Sequence, residues 1–369
     1  MEDAGIFLAR PATPADGIAL AVKDLFDTAG LTTTYGSAIF TEHVPDRTAE
    51  AVRRLEGAGY ANVGKTNLHE FAYGITSQNP HFGTVSNPLA PGRLAGGSSG
   101  GSAAALAAGL ADAALGTDSG GSIRIPASWC GVTGFKPSHG LVPLDGCFPL
   151  APSFDHAGPM ARTVADCVAM LEVLAPGRQP ARLESLEEVR LGIAWTELAG
   201  PLVRARVEAA GACFPIARRV DFPLPERLDR LFMHEVAGVH RELFREHGSK
   251  YGENVRVKVE RCLRVTDEEA EAARLERERY REQCLEALAG LDLLLTPTTA
   301  FVAPPADADD LEIREATIRF TFPFNALGWP ALALPCGPAE HGLPASAQLV
   351  GLDDGLVLGA GSLLEASLI

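Results

Sequence analysis

The sequence predicts an α/β protein in which helices cover both faces of a sheet. Short apolar runs that are typical of strands, LGIAWT at Leu191, LLLTP at Leu293 and ALALP at Ala331, alternate with helical segments. The chain has 369 residues, of which 46% are hydrophobic, so it can bury a large core as one unit or as two smaller ones. Both observations are typical of an enzyme-sized globular protein.

The first half of the chain begins with strand and helix signals in alternation. GIALAVKDLF, from Gly17, predicts a strand, and the amphipathic residues 46–56 predict a helix that ends at the glycine turn 57–59. YANVG predicts a short strand, and TNLHEFAYG, from Thr66, predicts the start of another helix. Residues 102–109 are rich in Ala and Leu, which are strong helix formers, and predict a buried helix.

The second half contains one loop signal and one strong helix signal. The polar residues 178–189 predict a loop or linker. Thr266 and Glu269 have the spacing of a capping box, which predicts the start of a highly charged helix. This helix should run to about Leu288 and end at Gly290. We expect it to be a solvated face or a lid rather than a catalytic element.

Composition and charge exclude several classes of function. With 32 basic and 47 acidic residues, the net charge of −15 argues against a nucleic-acid or anionic-membrane partner and leaves a small neutral substrate as the default. Seven cysteines without CxxC or histidine-partner spacing predict neither a disulfide framework nor a zinc site. No metal or organic cofactor is expected. The chain shows neither a membrane span of ~18 apolar residues nor a signal peptide, so we expect a cytoplasmic protein with reduced thiols.

Residues 96–126, GGSSGGSAAALAAGLADAALGTDSGGSIRIP, contain two glycine-wrapped serine clusters on either side of a helical run. Glycines let a backbone bend closely around a hydroxyl and aim several N–H groups at one point, as acyl transfer requires. A flexible Gly/Ser linker is the alternative, but the apolar-rich residues 103–115 argue against it. The sequence therefore predicts an enzyme that hydrolyses an acyl bond.

Lys23 is the only charged residue inside the apolar run that precedes Asp24. A lysine at a strand end usually extends its amine to water. If the side chain were buried instead, its pKa would fall from about 10.4 towards neutrality and the amine would be a usable general base. Asp24 and Asp27 would oppose this shift, so they should point away from the amine.

The two clusters, followed by GFKPSHG, resemble the signature block of the amidase signature hydrolases. AVKDLFDTAGLTTTYGS, NVGKTNLHEFAYGITSQNPHFGTVSNP, PSFDHAGPMARTVAD, DLLLTPTTAFVAPP and FPFNALGWPALALPCGPAEHGLPASAQLVG stand in the family's order. The resemblance is close over 17–166, moderate over 291–351 and thin between them. It implies the amidase signature fold, with a large central, mostly parallel mixed sheet in a single domain 1–369. Residues 1–176 would be the signature half with the catalytic triad, 177–290 a variable, helix-rich region and 291–369 the C-terminal part of the core.

The resemblance also implies a role for each residue of a triad. Ser122 would attack the carbonyl, Ser98, held across a cis peptide, would relay the proton, and neutral Lys23 would accept it. The separation of 24 residues between the two serines agrees with the family's spacing. The oxyanion hole would consist of the backbone N–H groups of Ser119, Gly120, Gly121 and Ser122.

Four further residues have expected supporting roles. Ser99 and Ser102 should lock the first serine loop through hydrogen bonds, and Asp118 should orient the oxyanion turn. The resemblance implies that Arg124 makes a scaffold salt bridge.

Candidate pocket residues follow GKTN, the nucleophile block and the C-terminal FPFN motif. They are Phe71, Tyr73, Gly74, Ile75, Thr76, Ser77, Gln78, Cys147 and Phe148, together with Phe322 to Asn325. We expect the aromatic residues of this set to lie in the core about as often as in the pocket. Only 22 residues precede Lys23 and the middle region is compact, so we expect an unusually open site.

Two motifs suggest other enzymes. Residues 59–66 fit the phosphate-loop pattern G-x-x-x-x-G-K-T, but a helix precedes them and strand-like residues lie inside the supposed loop, so the match is interpreted as accidental and Lys65 as scaffold. Residues 97–101 fit the G-x-S-x-G elbow of α/β-hydrolases, with Ser99 as nucleophile. That enzyme needs a histidine, and His240, His247 and His341 lie in no recognisable context.

The preferred hypothesis is an amidase, monomeric or homodimeric, that hydrolyses a small neutral amide, carbamate or ester through a Ser122 acyl-enzyme. The alternatives are the glutaminase-type subunit of a tRNA amidotransferase, a serine esterase like the α/β-hydrolases, and a non-catalytic amidase-like protein. Aliphatic amides, aryl amides, indoleacetamide-like compounds, ureas and carbamates all suit the same residues.

Overall fold

A computed structural model describes residues 5–13, 15–226 and 228–368. In chain order its elements are β1 (Phe7–Ala9), β2 (Ile18–Lys23), α1 (Glu50–Gly57), β3 (Tyr60–Thr66), β4 (Gln78–Asn79), β5 (Gly83–Thr84), α2 (Gly100–Ala107), β6 (Ala113–Asp118), α3 (Arg124–Cys130), β7 (Thr133–Lys136), β8 (His156–Ala161), α4 (Val164–Leu174), β9 (Leu191–Ile193), α5 (Pro201–Gly211), β10 (Ala217–Arg219), α6 (Asp229–His247), α7 (Glu253–Cys262), α8 (Asp267–Ala287), β11 (Leu293–Pro297), α9 (Asp310–Ile318), α10 (Phe322–Leu327), β12 (Ala331–Pro338), β13 (Pro344–Val350) and α11 (Asp354–Leu368).

The described strands, apart from the β4–β5 hairpin, form one mixed sheet in the order β1-β3-β2-β6-β8-β7-β12-β13-β11-β9-β10. Strands β3, β2 and β6 are mutually parallel, as are β11, β9 and β10. The strands between these two blocks pair antiparallel, and β1 is antiparallel to β3. The predicted α/β class and mixed sheet are confirmed, with the parallel pairing confined to the two blocks.

Strand β6 shows how the sheet separates two layers of helices. Successive side chains on a strand point to opposite faces. Ala113 and Leu115 belong to an apolar cluster with residues of α1, α4 and α11, whereas Ala114 belongs to a second cluster with residues of α2. Helices therefore cover both faces of the sheet, as predicted.

The parallel pairing of β2 with β6 determines where the functional residues lie. Val22 is paired with Leu115, so the carboxyl ends of both strands reach the same edge of the sheet. Lys23 is the last residue of β2, and Thr117 lies at the end of β6. The neighbouring strand β8 begins at this edge, where His156 is paired opposite Asp118.

Several predicted elements agree with the structure. The strand from Gly17 is β2, YANVG begins β3, and the buried Ala-rich helix is α2. The capping box of α8 is present, with reciprocal hydrogen bonds between Thr266 and Glu269. The helix predicted over 46–56 begins only at Glu50, because the Ala49 N–H donates to the Asp27 carbonyl instead of continuing a helix.

The helix predicted to start at Thr66 is wrong. Only a single 3₁₀ turn, Glu70–Ala72, is present, and Phe71 lies in the left-handed region with φ of 51°. Tertiary contacts hold this segment. The buried Glu70 carboxylate accepts the Gly252 N–H at 2.8 Å, and the Phe71 N–H donates to the Tyr35 carbonyl at 2.8 Å. These contacts outweigh the local helix propensity.

The phosphate-loop match is accidental, as interpreted from the sequence. Strand β3 occupies Tyr60–Thr66, so the segment is extended and forms no loop around an anion. The Lys65 amine is fully buried and lies 2.9 Å from the Asp24 carboxylate. It also donates to the Phe26 carbonyl and to Thr33 Oγ1, each at 2.7 Å. Lys65 therefore supports the scaffold, and Asp24 faces it rather than Lys23.

This buried ion pair yields a stability prediction. We expect Lys65→Met to lower the free energy of unfolding by about 3–5 kcal/mol, because it leaves the Asp24 carboxylate buried without its cation. Urea denaturation followed by circular dichroism measures this change. Lys250→Met, at an exposed position, is the control. Equal urea midpoints for the two variants would show that the ion pair does not support the fold.

Candidate active site

The Lys23 amine lies at the carboxyl-terminal edge of the sheet. Its Nζ is 2.7 Å from Ser98 Oγ and 2.6 Å from Thr117 Oγ1, and the side chain is completely buried. Burial lowers the pKa of Lys23 to about 7, against the opposing effect of nearby acidic groups. A substantial fraction of this amine is therefore neutral at physiological pH and able to accept a proton.

Ser98 follows a cis peptide bond from Gly97. Its carbonyl oxygen accepts hydrogen bonds from the His69 N–H and from Ser77 Oγ, each at 3.2 Å. A side chain at Gly97 would not fit, because a Cβ there would lie 2.8 Å from the Ser77 nitrogen. These contacts fix the hydroxyl of Ser98 beside the Lys23 amine.

Ser122 lies on the loop between β6 and α3, next to the first serine loop. The Ser99 N–H donates to the Ser122 carbonyl at 3.2 Å, so the two loops are hydrogen-bonded to each other. Ser122 is 7% exposed, whereas Ser98 and Lys23 are fully buried. The Lys23 amine thus contacts Ser98, the loop that carries Ser98 is hydrogen-bonded to the loop that carries Ser122, and Ser122 is the most exposed of the three predicted triad residues.

The Asp118 carboxylate organises the turn that precedes Ser122. It accepts the Gly121 N–H at 2.7 Å and the Ile123 N–H at 3.1 Å, and it forms a buried ion pair with Arg124 at 2.9 Å. Burial alone would raise the pKa of Asp118, but the Arg124 guanidinium outweighs this effect and holds the pKa well below its usual range. The contacts expected of Asp118 and Arg124 are present.

The predicted oxyanion hole needs one correction. The Gly121 N–H is already donated to Asp118, so it is not free to bind an oxyanion. Among the described residues, the N–H groups of Ser119, Gly120 and Ser122 have no acceptor. Thr321 Oγ1 donates to the Gly120 carbonyl at 2.6 Å and so fixes the orientation of this turn.

Ser99 and Ser102 lock the loop, as expected. Ser99 Oγ donates to the Thr117 carbonyl at 3.2 Å and accepts the Thr117 N–H at 3.3 Å. Ser102 Oγ lies 2.9 Å from Thr66 Oγ1. Ser99 therefore has strand atoms as its partners, while the buried His240 bonds to the Tyr251 hydroxyl. These contacts do not support the interpretation as an α/β-hydrolase.

Sequence reasoning missed Thr117 and Asp155. Asp155 is fully buried against the nucleophile loop, where it accepts Ser119 Oγ at 2.6 Å and the Leu150 N–H at 2.9 Å. Burial raises the pKa of this carboxyl group. The available signal is positional, because Thr117 is the penultimate residue of β6 and Asp155 directly precedes β8, the strand that pairs with it.

A cavity of about 140 Å³ opens beside Thr117 and Ser119. We refer to it as the small cavity. Apart from Asp155 and the two hydroxyl residues, its lining is apolar: Leu25, Leu144, Cys147, Phe148, Pro149, Leu150 and Pro152. Two predicted pocket residues, Cys147 and Phe148, therefore lie here.

A larger cavity, of about 350 Å³, is lined mainly by residues of α6, α7 and α9. Tyr73 and Phe322, both predicted pocket residues, line it together with Phe232. Phe322 marks the connection to the turn, because a Cβ built on Gly120 would lie 3.6 Å from the Phe322 ring. Ser119 thus lines the small cavity, whereas Phe322 is the lining residue of the larger cavity that approaches the loop between β6 and α3.

The other predicted pocket residues lie outside the linings of both cavities. Phe71 packs behind Phe148, with ring centroids 5.2 Å apart, and Gly74 packs against His69. The remaining members hold the loops together: the Ile75 N–H and Thr76 Oγ1 donate to Asp310, Ser77 donates to Ser98, Gln78 donates to the Ala306 carbonyl, Phe324 is buried in the core and Asn325 donates to the Asp118 carbonyl.

The described residues include no group of three or more His, Cys, Asp or Glu side chains placed to hold a metal ion. All seven cysteines are free thiols. No helix in the described ranges has the length and apolarity needed to cross a membrane.

Known proteins resemble this chain in sequence and in fold. The profile of the Amidase family matches residues 3–197 and 217–357. A glutamyl-tRNA(Gln) amidotransferase subunit of Synechococcus sp. (strain RCC307) is 35% identical over 91% of this chain and 80% of its own length. The AtzE subunit of 1-carboxybiuret hydrolase from Pseudomonas sp. (strain ADP) is 34% identical over 95% of this chain and 84% of its own. The crystal structure of an amidase superposes with a TM-score of 0.89 at 41% identity, covering 96% and 85% of the two chains.

The pKa of Lys23 leads to a kinetic prediction. We expect kcat/KM to rise with pH along a limb whose midpoint lies near pH 7, because only the neutral amine accepts a proton. Lys23→Met should remove this limb and most of the rate. Initial rates of amide hydrolysis between pH 5 and 9 measure it.

Two further measurements check this assignment. Lys250→Met should keep the wild-type pH profile. The folded-state pKa of Lys23 lies below its unfolded value, so the unfolded chain binds the extra proton between about pH 7 and 10.5. The free energy of unfolding of wild type relative to Lys23→Met should therefore increase across that window. A limb that survives in Lys23→Met would assign the base to another group.

Proposed function

Because the chain belongs to the amidase family, whose members hydrolyse the C–N bonds of amides, we propose that Ser122, Ser98 and Lys23 carry out this hydrolysis as nucleophile, relay and base. The observation that carries the proposal is the 2.7 Å contact between the fully buried Lys23 Nζ and Ser98 Oγ. A serine hydroxyl is a weak nucleophile unless a base removes its proton. Here the base is an amine whose pKa burial brings to about 7.

In the first half-reaction, Ser122 Oγ attacks the carbonyl carbon as its proton passes to Ser98 Oγ, and the Ser98 proton passes to Lys23. The oxyanion is stabilised by the free N–H groups of Ser119, Gly120 and Ser122, each typically worth about 3 kcal/mol. The C–N bond then breaks. Lys23 returns its proton through Ser98 to the leaving nitrogen, and the acyl group remains on Ser122 as an ester.

In the second half-reaction, water attacks the ester. The water proton passes along the same relay, and the C–O bond to Ser122 breaks. The proton returns to Ser122 Oγ, so that a carboxylic acid leaves and the enzyme regains its starting state. Each proton taken up by Lys23 is therefore given back within one turnover.

The proton relay indicates which cavity binds which part of the substrate. The leaving nitrogen must lie close to the relay of Lys23 and Ser98, because it receives its proton from there. Thr117 contacts the Lys23 amine and lines the small cavity, so the small cavity is the one beside the relay. Its volume of about 140 Å³ is close to that of a ~150 Å³ apolar protein cavity that binds benzene. We therefore propose that the leaving group is ammonia or an amine no larger than an aromatic ring, and that the acyl group occupies the larger cavity.

The Synechococcus relative favours a second candidate function. The Synechococcus relative is part of an amidotransferase, so this chain would act as the amide-hydrolysing member of an assembly, with glutamine as amide donor. We prefer the stand-alone amidase, because the chain is 41% identical to the amidase of known structure and 35% identical to the Synechococcus relative. The two candidates share the Ser122 acyl-enzyme and differ in the amide consumed.

A substrate panel tests the proposal. We expect short primary amides and anilides to acylate Ser122, as seen by mass spectrometry of the trapped enzyme, and Ser122→Ala to lower kcat by more than about 10³-fold. Ser98→Ala should keep slight activity, because a water molecule can replace the relay. Ser249→Ala, at an exposed position, should match wild type.

The panel separates the alternatives as well. Wild-type rates in Ser122→Ala together with loss of activity in Ser99→Ala would make Ser99 the nucleophile. Acylation by L-glutamine and by no other amide would favour the amidotransferase assembly.

A further inference from the structure

Asp155 is a buried carboxylate in the wall of the small cavity. Thr117 lines the same cavity, and its Oγ1 lies 2.6 Å from the Lys23 amine. The Asp155 oxygens accept hydrogen bonds from the Ser119 hydroxyl and from the backbone N–H groups of residues 150 and 151. Among the described residues, Asp155 forms no ion pair. Burying a carboxylate is costly, and hydrogen bonds from neutral groups offset only part of that cost.

The hydrogen bonds of Asp155 favour its ionised form. Its Oδ2 accepts the Leu150 N–H at 2.9 Å, and its Oδ1 accepts the Ser119 hydroxyl at 2.6 Å and the Ala151 N–H at 3.1 Å. A backbone N–H can only donate, so protonation of the carboxylate would weaken these bonds. Burial raises the pKa of Asp155, the hydrogen bonds oppose that effect, and the Glu235 carboxylate acts with burial.

Two other carboxylates close to Lys23 already have a cation. Asp24, its neighbour in sequence, is paired with the Lys65 amine at 2.9 Å. Asp118 is paired with the Arg124 guanidinium, also at 2.9 Å. Unlike these two, the carboxylate in the wall of the small cavity has no cation within the part of the chain that the structure describes.

The Lys23 amine becomes charged only when it accepts a proton. Its hydrogen-bond partners are the hydroxyls of Ser98 and Thr117, so the ammonium that forms has no negative group in direct contact among the described residues. Water cannot supply the missing stabilisation, because the side chain is completely buried. A nearby negative charge stabilises such a group through space, and it does so more strongly in a buried site than in water.

Three neighbouring groups oppose the effect of burial on the Lys23 amine. Burial is the largest cause of its lowered pKa, and Cys147, Asp118 and Asp155 each act in the opposite direction. Cys147 does so only as a thiolate, and burial raises the pKa of this thiol, so it is uncharged at neutral pH. The charge of Asp118 is balanced by Arg124. Asp155 is therefore the neighbouring carboxylate whose charge is available to the Lys23 ammonium.

We propose that the Asp155 carboxylate is the counter-charge of protonated Lys23 and stabilises this ammonium each time the relay delivers a proton to it. The proposal rests on the proposed function, because it takes Lys23 as the base. Asp155 keeps its own charge throughout the turnover, so no bond or proton is added to the mechanism. Each of the two buried groups thereby supplies the opposite charge that the other lacks.

NMR titration of the lysine side chains tests this pairing without a substrate. The chain contains five lysines, so isotope labelling of lysine gives few signals, and the Lys23 signal is the one absent from Lys23→Met. Asp155→Asn removes the negative charge with little change in size. We expect it to lower the titration midpoint of Lys23 by about one pH unit, because the ammonium loses its counter-charge.

The pH dependence of the rate gives an independent measurement. In Asp155→Asn the rising limb of kcat/KM should move to lower pH by the same amount as the Lys23 midpoint. The limiting rate at high pH should fall roughly threefold, because an amine of lower pKa is a weaker base. Circular dichroism and urea denaturation show whether the variant is folded. If it is not, the equally uncharged Asp155→Ser replaces it, with the same expected shift.

Two variants separate the charge of Asp155 from its other contacts. Ser119→Ala removes the shortest hydrogen bond of Asp155 but leaves its charge, so the Lys23 midpoint should match that of wild type. Asp145→Asn removes an exposed carboxylate from the loop that lines the small cavity, and it should change neither the Lys23 midpoint nor the rate.

The outcomes distinguish the two proposals. A Lys23 midpoint that is unchanged in Asp155→Asn, or that falls equally in Ser119→Ala, would overturn the counter-charge and leave the proposed function standing. A Lys23 midpoint that falls in Asp155→Asn while the limb of kcat/KM stays in place would support the pairing and show that Lys23 is not the base.

Discussion

Burial of the Lys23 amine is the constraint on which the rest of the site depends. Water strongly stabilises the charged ammonium form of a lysine side chain. Removing that water therefore favours the neutral amine. The parallel pairing of β2 with β6 brings the amine under the serine loops, where two hydroxyl groups replace water as its partners. Hydroxyls stabilise a charge less than water does, so the pKa of the buried Lys23 amine is lowered to about 7.

The nucleophile loop is held by a buried polar network rather than by apolar packing. Arg124 joins Asp118, near it in sequence, with Gln348 of β13 and Asn325 of α10, at 2.7 and 2.6 Å. Each member is fully buried and satisfied by the others, which is the condition under which such a network rigidifies a site. Through the Asp118 carboxylate, which accepts the Gly121 and Ile123 N–H groups, this network holds the turn that precedes Ser122.

The sequence predicted the chemistry better than the pocket. Short motifs predict the triad and its supporting residues, and the structure contains the Lys23–Ser98 contact and the Asp118–Arg124 ion pair. Phe71, Tyr73 and residues 74–78 are predicted as pocket because they follow a motif, yet most of them hold loops together. Their direction depends on contacts far along the chain, those of residues 75 and 76 with Asp310 and that of the preceding Glu70 with Gly252. The same distant contacts replaced a predicted helix with a turn. Asp155 was missed because its importance arises only when β8 pairs with β6.

The order of strands in the sheet differs from their order of synthesis. The sheet strands up to β8 and the strands β9–β11 are joined only through β12 and β13, which are made last and lie between them in the described sheet. Gln348, the residue that completes the Arg124 network, is on β13. A growing chain on the ribosome therefore carries Lys23, Ser98 and Ser122 long before the sheet that supports them can close. The hydrogen bond from Arg124 to Gln348 can therefore form only after β13 has been made.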